Sequence, residues 1–283
     1  MDLKTFQDIV YKEEKAKRFF LRQRWQARRK TCPHCEHVRV LRIRRQRLRC
    51  ARCRYEFGDF TGTYLALLRI EFREWLWLLK LFELEVSARK AARQLGLSYP
   101  TVLKGFQVIR QALAAQDRDF PLLRGEVEAD EAYFGGRRKG KRGRGAAGKV
   151  PVFGILERAG QVRVEVVPNV KAETLLTLAV KKVRRGSMVY TDRYQSYDSL
   201  MFCGFRHLQV DHSQRFASGK VFINGLEGFW SYAKERLIKF HGVSKEKFPF
   251  YLKEMEFRYN HRKENNLLVI LAEYLTQPVA KLL

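Results

Sequence analysis

The 283-residue sequence contains no long hydrophobic run: every apolar stretch is broken by charge well short of the ~18 residues that a membrane-spanning helix requires. No membrane span is expected. From Met1 to Trp25, acids, bases and aromatics alternate, without the continuous apolar segment and small-residue cleavage site of an export signal, so the expected location is the cytoplasm. Acidic residues are scarce beside basic ones: 30 Asp and Glu face 56 Lys and Arg, a formal charge of +26. That excess is larger than solubility requires and has the sign that attracts phosphate backbones, so a nucleic acid is the expected partner. A ribosomal or histone-like binder with no chemistry of its own would carry the same charge, which sets the substrate class and not the reaction. Cysteine is also scarce. Four of the five cysteines lie within 22 residues, unlike the even spread of a disulfide scaffold, and the remote Cys203 reads as a small buried residue. The length argues for roughly two or three domains.

The clustered cysteines form two knuckles, Cys32-Pro33-His34-Cys35 and Cys50-Ala51-Arg52-Cys53, with 14 residues between them. This spacing is close to that of a four-thiolate zinc site. Each knuckle puts two sulfurs on one tight turn, and the alternating Val38, Val40, Leu41, Ile43 and Leu48 suit a β-hairpin joining the turns. The expectation is a zinc ribbon over residues 31–62, its Zn²⁺ structural because a closed Cys₄ site leaves no position for substrate. A redox dithiol is the weaker reading, since no βαβ pattern surrounds either knuckle. His34 and His37 are surplus to four ligands. Arg42, Arg44 and Arg45, together with Arg39, Arg47 and Arg49, would line the ribbon with guanidinium groups suited to phosphate contact.

Residues 1–30 are expected to form an N-terminal helical segment and residues 63–118 a helical DNA-binding domain. Apolar residues at three- and four-residue spacing predict an amphipathic helix from Tyr64 to Leu84. Ser87 is a good N-cap for a helix that stops at Gly96, and Ser98 caps a second one. The pair reads as a helix-turn-helix whose second helix offers Tyr99, Thr101 and Lys104 to bases and phosphates. A plain helical hairpin fits the same residues; the neighbouring ribbon and the charge favour DNA.

Past a polar, proline-bearing link at Asp117 to Leu123, the pattern changes to short strands alternating with helices, so a new domain is expected over residues 124–283. Strands are expected at Glu126–Asp130, Val152–Leu156, Val162–Val167, Met188–Asp192 and His207–Val210, with helices at Lys171–Val183, Asn224–Lys239 and Lys247–His261. These give an α/β fold, a mixed sheet flanked by helices. Between the first two strands, Arg137, Arg138, Lys139, Lys141 and Arg142 sit among glycines. This run is either a solvated surface loop or a clamp for a phosphate backbone.

Three acids stand out. Asp130 is placed at the end of the first strand and Asp192 at the end of the fourth; Glu227 falls in the first turn of a helix, with 34 residues between it and Asp192. Lys234 lies seven positions beyond Glu227, two turns further on the same helix face, and Asn224 is near that face too. Phe229, Ala233 and Leu237 would hold the opposite face against the sheet. Glu128 shares the strand face of Asp130, and Glu131 points the other way.

Asp130 within Val127-Glu128-Ala129-Asp130-Glu131-Ala132-Tyr133-Phe134-Gly135-Gly136, Asp192 within Val189-Tyr190-Thr191-Asp192, and the run Asn224-Gly225-Leu226-Glu227-Gly228-Phe229-Trp230-Ser231-Tyr232-Ala233-Lys234 resemble a DDE transposase. More narrowly, the chain resembles the ISXO-like group of bacterial insertion-sequence transposases over nearly its whole length, and Arg258-Tyr259-Asn260-His261 fits that group as well. The resemblance implies a ribonuclease-H-like core with a five-stranded mixed sheet behind a zinc ribbon and a helix-turn-helix. It implies an enzyme that binds the terminal inverted repeats of its element on double-stranded DNA, cuts there and joins the ends to new DNA. It also implies a homo-oligomer, since two ends are joined together, and association with the nucleoid when bound. Phosphodiester exchange of this kind uses two Mg²⁺ ions about 4 Å apart, which Mn²⁺ can replace, held by Asp130, Asp192 and a third residue. Some members of the group carry asparagine as the third residue. Asn224 is therefore the alternative to Glu227, which is preferred because a carboxylate binds a hard dication better than an amide does. In this reading Lys234 contacts phosphate near the cut. Two other readings share the DNA partner: a regulator that binds without catalysis, and a nuclease that cuts without joining.

Overall fold

The structure is a computed structural model of the whole chain, and all residues are described except 27–28, 45–46, 117–120, 136–148, 159, 193–202, 211–222 and 280–283. The chain divides into two compact units. One combines Met1–Arg118 with Glu264–Leu283, and the other is Asp119–Lys263. Among the described residues, no helix is long and apolar enough to cross a membrane.

The first unit is mainly helical: α1 (Leu3–Val10), α2 (Glu13–Trp25), α3 (Phe72–Glu83), α4 (Ala88–Leu95), α5 (Tyr99–Ala115) and α9 (Leu267–Thr276). Its core holds Phe6, Phe20, Trp75, Leu76, Leu79, Phe82, Phe106 and Ile109. Helix α9 packs on α2, α3 and α5, burying Leu268, Leu271, Ala272 and Leu275. The two chain termini are tied into the same unit: the Met1 amino group donates to the Asn265 carbonyl at 2.6 Å, and the Val279 N–H donates to the Gly62 carbonyl at 2.8 Å. The expected domain of residues 124–283 is thus too long at its C-terminal end. An almost wholly apolar helix needs cover on more than one side, and this one finds it on helices from the start of the chain. The helix expected from Tyr64 to Leu84 is also divided. Tyr64–Leu67 makes one 3₁₀ turn, Leu68 is extended, and α3 begins only at Phe72, where Glu71 and Glu74 form a capping box.

The second unit is built on a sheet of β4 (Glu126–Phe134), β5 (Val150–Glu157), β6 (Val162–Val166), β7 (Met188–Asp192) and β8 (Arg206–Val210), in the order β6-β5-β4-β7-β8. The first three strands form an antiparallel meander; β7 and β8 run parallel to β4. This is the ribonuclease-H-like arrangement, with the domain's first strand at the centre. Side chains alternate across each strand. On one face Val127, Ala129, Phe153, Ile155 and Val189 pack under α6 (Ala172–Lys182). On the other, Ala132, Phe134, Val152, Leu156 and Val164 pack under α7 (Asn224–Ile238) and α8 (Phe248–Asn260). Helix α8 also closes an edge of the sheet. The Asn260 amide exchanges two hydrogen bonds with the backbone of Val162, at 2.8 and 3.0 Å, and Glu256 accepts from the Val164 N–H at 2.8 Å. Side chains thereby occupy backbone groups that an open edge would offer to another strand.

Candidate active site and metal centre

Strand β4 runs four residues beyond Asp130, to Phe134, so Asp130 lies within the strand and not at its end. The cause is unequal pairing. β4 pairs with β5 from Val127 to Phe134, but with β7 only from Glu126 to Glu128. The parallel ladder stops two residues short of both acids: the pairs Glu126 with Met188 and Glu128 with Tyr190, extended in the same register, lead to Asp130 and Asp192, and the charge of Asp192 acts on Asp130. Both carboxylates are half-buried and lie on the sheet face that α7 covers. The carboxyl ends of neighbouring parallel strands are where open α/β sheets bind ligands.

Helix α7 reaches the site through Trp230. Its indole N–H donates to Asp130 Oδ2 at 3.0 Å. The approach is possible because Asp130 pairs across the ladder with Gly154: a Cβ there would lie 2.5 Å from the indole ring. Burial first, and the charge of Glu131 next, push the Asp130 carboxyl up to about 6; Asp192 adds to the rise and the Trp230 hydrogen bond opposes it. A buried carboxyl with its pKa raised beside a second acid is a perturbed group of the kind that marks candidate functional sites. Phe229 and Ala233 are buried and Leu237 packs against the same core, as the helix pattern predicts.

Asn224, Glu227 and Lys234 are exposed on α7. Glu227 lies three residues before Trp230, and the Lys234 ammonium sits 5.9 Å from the Phe134 ring, over the end of β4. Glu128 is almost fully buried on the Asp130 face. It accepts from the Leu226 N–H at 2.9 Å and pairs with Arg158 at 3.2 Å. Sequence reasoning assigned no role to Trp230, Gly154 or Arg158. A glycine inside the apolar run Val152-Phe153-Gly154-Ile155 was the available signal, because glycine within a strand marks close approach.

The cysteine knuckles belong to a small sheet of β1 (Val40–Arg42), β2 (Leu48–Cys50) and β3 (Glu56–Phe57), with Leu48 and Phe57 buried beside the thiols. The Sγ atoms of Cys32, Cys35, Cys50 and Cys53 all lie within 4.8 Å of one another, with Cys32–Cys53 and Cys35–Cys50 each at 3.6 Å. A zinc tetrahedron with bonds of about 2.3 Å has edges of about 3.8 Å, so the four thiols fit the ion. Among the described residues they are the one set of three or more potential ligands gathered this closely; Asp130, Asp192 and Glu227 do not form such a set.

Of the residues expected at DNA, Arg42 and Arg44 are exposed on the ribbon, whereas Arg49 pairs with Glu56 and Arg47 donates to the Glu56 carbonyl. Tyr99 and Lys104 are exposed on the first turns of α5, and the Arg89 guanidinium lies 5.7 Å over the Tyr99 ring. The Thr101 hydroxyl shares a 2.8 Å hydrogen bond with the capping Ser98, so part of its hydrogen-bonding capacity serves the helix end. Arg45, Arg137, Arg138, Lys139, Lys141 and Arg142 lie outside the described residues.

Comparison with known proteins places the chain in a family. Residues 122–260 match a family model described as an ISXO2-like transposase domain, and residues 11–56 match a transposase zinc-ribbon domain. The chain is 44% identical over 108 residues to an uncharacterized transposase-like protein of Haemophilus influenzae, covering 38% of this chain and 88% of that one. It is 30% identical over 281 residues to an uncharacterized protein in transposable element ISH50 of Halobacterium salinarum, covering 91% of this chain and 93% of that one. The crystal structure of the catalytic domain of Mos1 mariner transposase aligns with 62% of this chain and 90% of its own at 13% identity, with a TM-score of only 0.36. Both family models match in the order ribbon then catalytic core, and one relative matches almost end to end, so the chain belongs to the ISXO2-like transposase family.

Proposed function

We propose that this chain is a DNA strand transferase that binds the ends of an insertion element, cuts them and joins them to a target by in-line phosphodiester exchange. The observation that carries the reading is the register of Asp130 and Asp192, adjacent on parallel strands under the one helix that bears Glu227. Carboxylates from strand and helix give a hard, oxygen-rich donor set of the kind Mg²⁺ accepts. Two such ions, when bound, would activate the attacking oxygen and stabilise the leaving one.

Asp130, Asp192 and Glu227 would supply ligand oxygens, with Asn224 as the alternative third donor. The Trp230 hydrogen bond would hold the Asp130 carboxylate in one orientation. Lys234 would take a phosphate oxygen of the scissile strand. In the first step water adds to phosphorus and the bond to the 3′-oxygen breaks, leaving a 3′-hydroxyl on the element end. In the second, that hydroxyl adds to a target phosphorus and displaces a target 3′-oxygen, so bonds made equal bonds broken and no protein nucleophile is needed. The ribbon arginines Arg42 and Arg44 and the exposed α5 residues Tyr99 and Lys104 would hold the duplex, and the basic run from Arg137 to Arg142 would add phosphate contacts. Bringing two ends together calls for more than one copy of the chain.

The test joins a pre-cut 3′-hydroxyl end to plasmid DNA in the presence of Mg²⁺ or Mn²⁺. Joined product that disappears in Asp130→Asn and Asp192→Asn, with end binding retained, supports the reading. Cutting without joining indicates a nuclease, and binding without either indicates a regulator. Glu227→Gln set beside Asn224→Ala in the same assay identifies the third donor.

A further inference from the structure

Helix α7 lacks a cap of its own. Ile223 precedes it with no side-chain hydrogen bond, although the first N–H groups of any helix need acceptors. The acceptor comes from the sheet: Glu128 Oε2, 98 residues earlier in the chain, takes the Leu226 N–H at 2.9 Å, and the Gly225 N–H also interacts with this carboxylate. Gly225 is fitted to that contact, because a Cβ at this position would lie 3.0 Å from Glu128 Oε2 and 3.1 Å from Leu156. Arg158 holds the other oxygen of Glu128 at 3.2 Å, while its guanidinium also pairs with Glu126 at 3.1 Å and stacks 3.8 Å from the Tyr190 ring centroid. A carboxylate that is 1% exposed and bonded on both oxygens has little freedom.

We infer that Glu128, steadied by Arg158, is a positioning residue that sets the depth and rotation of α7, and so the placement of Glu227 against Asp130. This inference rests on the proposed role of Glu227. Two pins hold the helix to β4: Glu128 grips Gly225 and Leu226, and Trp230 binds Asp130. Glu227 lies between them. Because Glu128 and Asp130 are two residues apart on one strand face, the strand that carries the first acid also fixes the helix that carries the third.

The experiment uses the full-length, zinc-loaded protein and the variants Glu128→Gln, Glu128→Ala and Glu227→Gln, alone and combined. Glu128→Gln keeps an acceptor oxygen for the helix and nearly the same volume, so it stays informative if the alanine variant folds poorly. Three quantities are measured: cleavage rate against Mg²⁺ concentration, Mn²⁺ binding by electron paramagnetic resonance without DNA, and amide exchange over residues 223–230. Glu128→Ala is expected to slow cleavage ~10- to 100-fold, the usual range for groups that orient metal ligands. It should also raise the half-saturating Mg²⁺ concentration, weaken Mn²⁺ binding and speed exchange at the start of α7, with Glu128→Gln between it and the unchanged protein. In the Glu227→Gln background, Glu128→Ala should have little further effect on cleavage, since it acts through that residue. Unchanged Mn²⁺ binding and Mg²⁺ dependence in both Glu128 variants, or losses that multiply with those of Glu227→Gln, would overturn the inference and leave the proposed function standing. Normal cleavage and Mn²⁺ binding in Glu227→Gln would instead remove the reading on which it rests.

Discussion

Among the described residues, the helical unit encloses two charged side chains, Lys80 and Arg110, while the sheet unit encloses six: Glu128, Glu131, Arg163, Glu254, Glu256 and Arg258. Several of the six are matched in pairs. Arg258 meets Glu254 at 2.9 Å, and Glu256 takes Lys253 at 2.8 Å and Arg163 at 3.7 Å. Such pairs contribute little net stability against an apolar alternative, but each fixes a geometry that is costly to disturb. The helical unit relies on interlocking aromatic and aliphatic side chains, with a thiolate cluster fastening its small sheet. One unit is therefore organised for cohesion and the other for holding charge in fixed positions.

The largest effect separating the two should come from the ribbon. Chelating the zinc, or Cys32→Ser, should remove on the order of 10 kcal/mol from the folding of that module. Zinc analysis with thermal unfolding should show loss of the ribbon and weaker end binding, with the transition of the sheet unit in place; a shift in both transitions would break the contrast. Next, Asp130→Asn or Asp192→Asn should lower Mg²⁺-dependent cleavage by about 1,000-fold or more, about 4 kcal/mol in the barrier. End binding measured by gel shift should change less than about twofold. Leu271→Ala, near the C-terminus of the chain, should cost the helical unit about 2–4 kcal/mol and the sheet unit nothing, read by amide exchange across each. Gly154→Ala sharpens the comparison from the other side. Its methyl group would meet the Trp230 ring, so the sheet unit should lose about 1–3 kcal/mol in denaturant and cleavage should fall with it. The smallest effect is Trp230→Phe, which deletes one hydrogen bond to Asp130 and should cost about 1 kcal/mol of stability, with a measurable drop in cleavage rate.

Most elements of the sheet unit could be read from local pattern. Period-2 alternation gave its strands, and in the helical unit Ser87 and Gly96 gave the bounds of α4 and Ser98 the start of α5, because caps are chemical signals within a few residues of where they act. The juxtaposition of Asp130 with Asp192 followed from the same strands once their order was known. What could not be read were partnerships across long stretches of chain. Nothing near Leu267 announces that α9 packs on α2, α3 and α5, and nothing near Glu128 announces that its carboxylate caps a helix at Leu226. The break at Leu68 was hidden because apolar residues kept helical spacing across it. Arg258 and Asn260 could be recognised by family resemblance, but their work in pairing with Glu254 and closing the edge of β6 depends on neighbours that only the fold supplies.

The return of α9 has a consequence for synthesis. The helical unit is begun first, yet residues 119–263 must leave the ribosome before Leu268, Leu271 and Leu275 can reach its core. A product that stops short of Glu264 would contain every residue of the sheet unit and still leave apolar side chains of α2, α3 and α5 uncovered, the condition in which partly made proteins aggregate or are degraded.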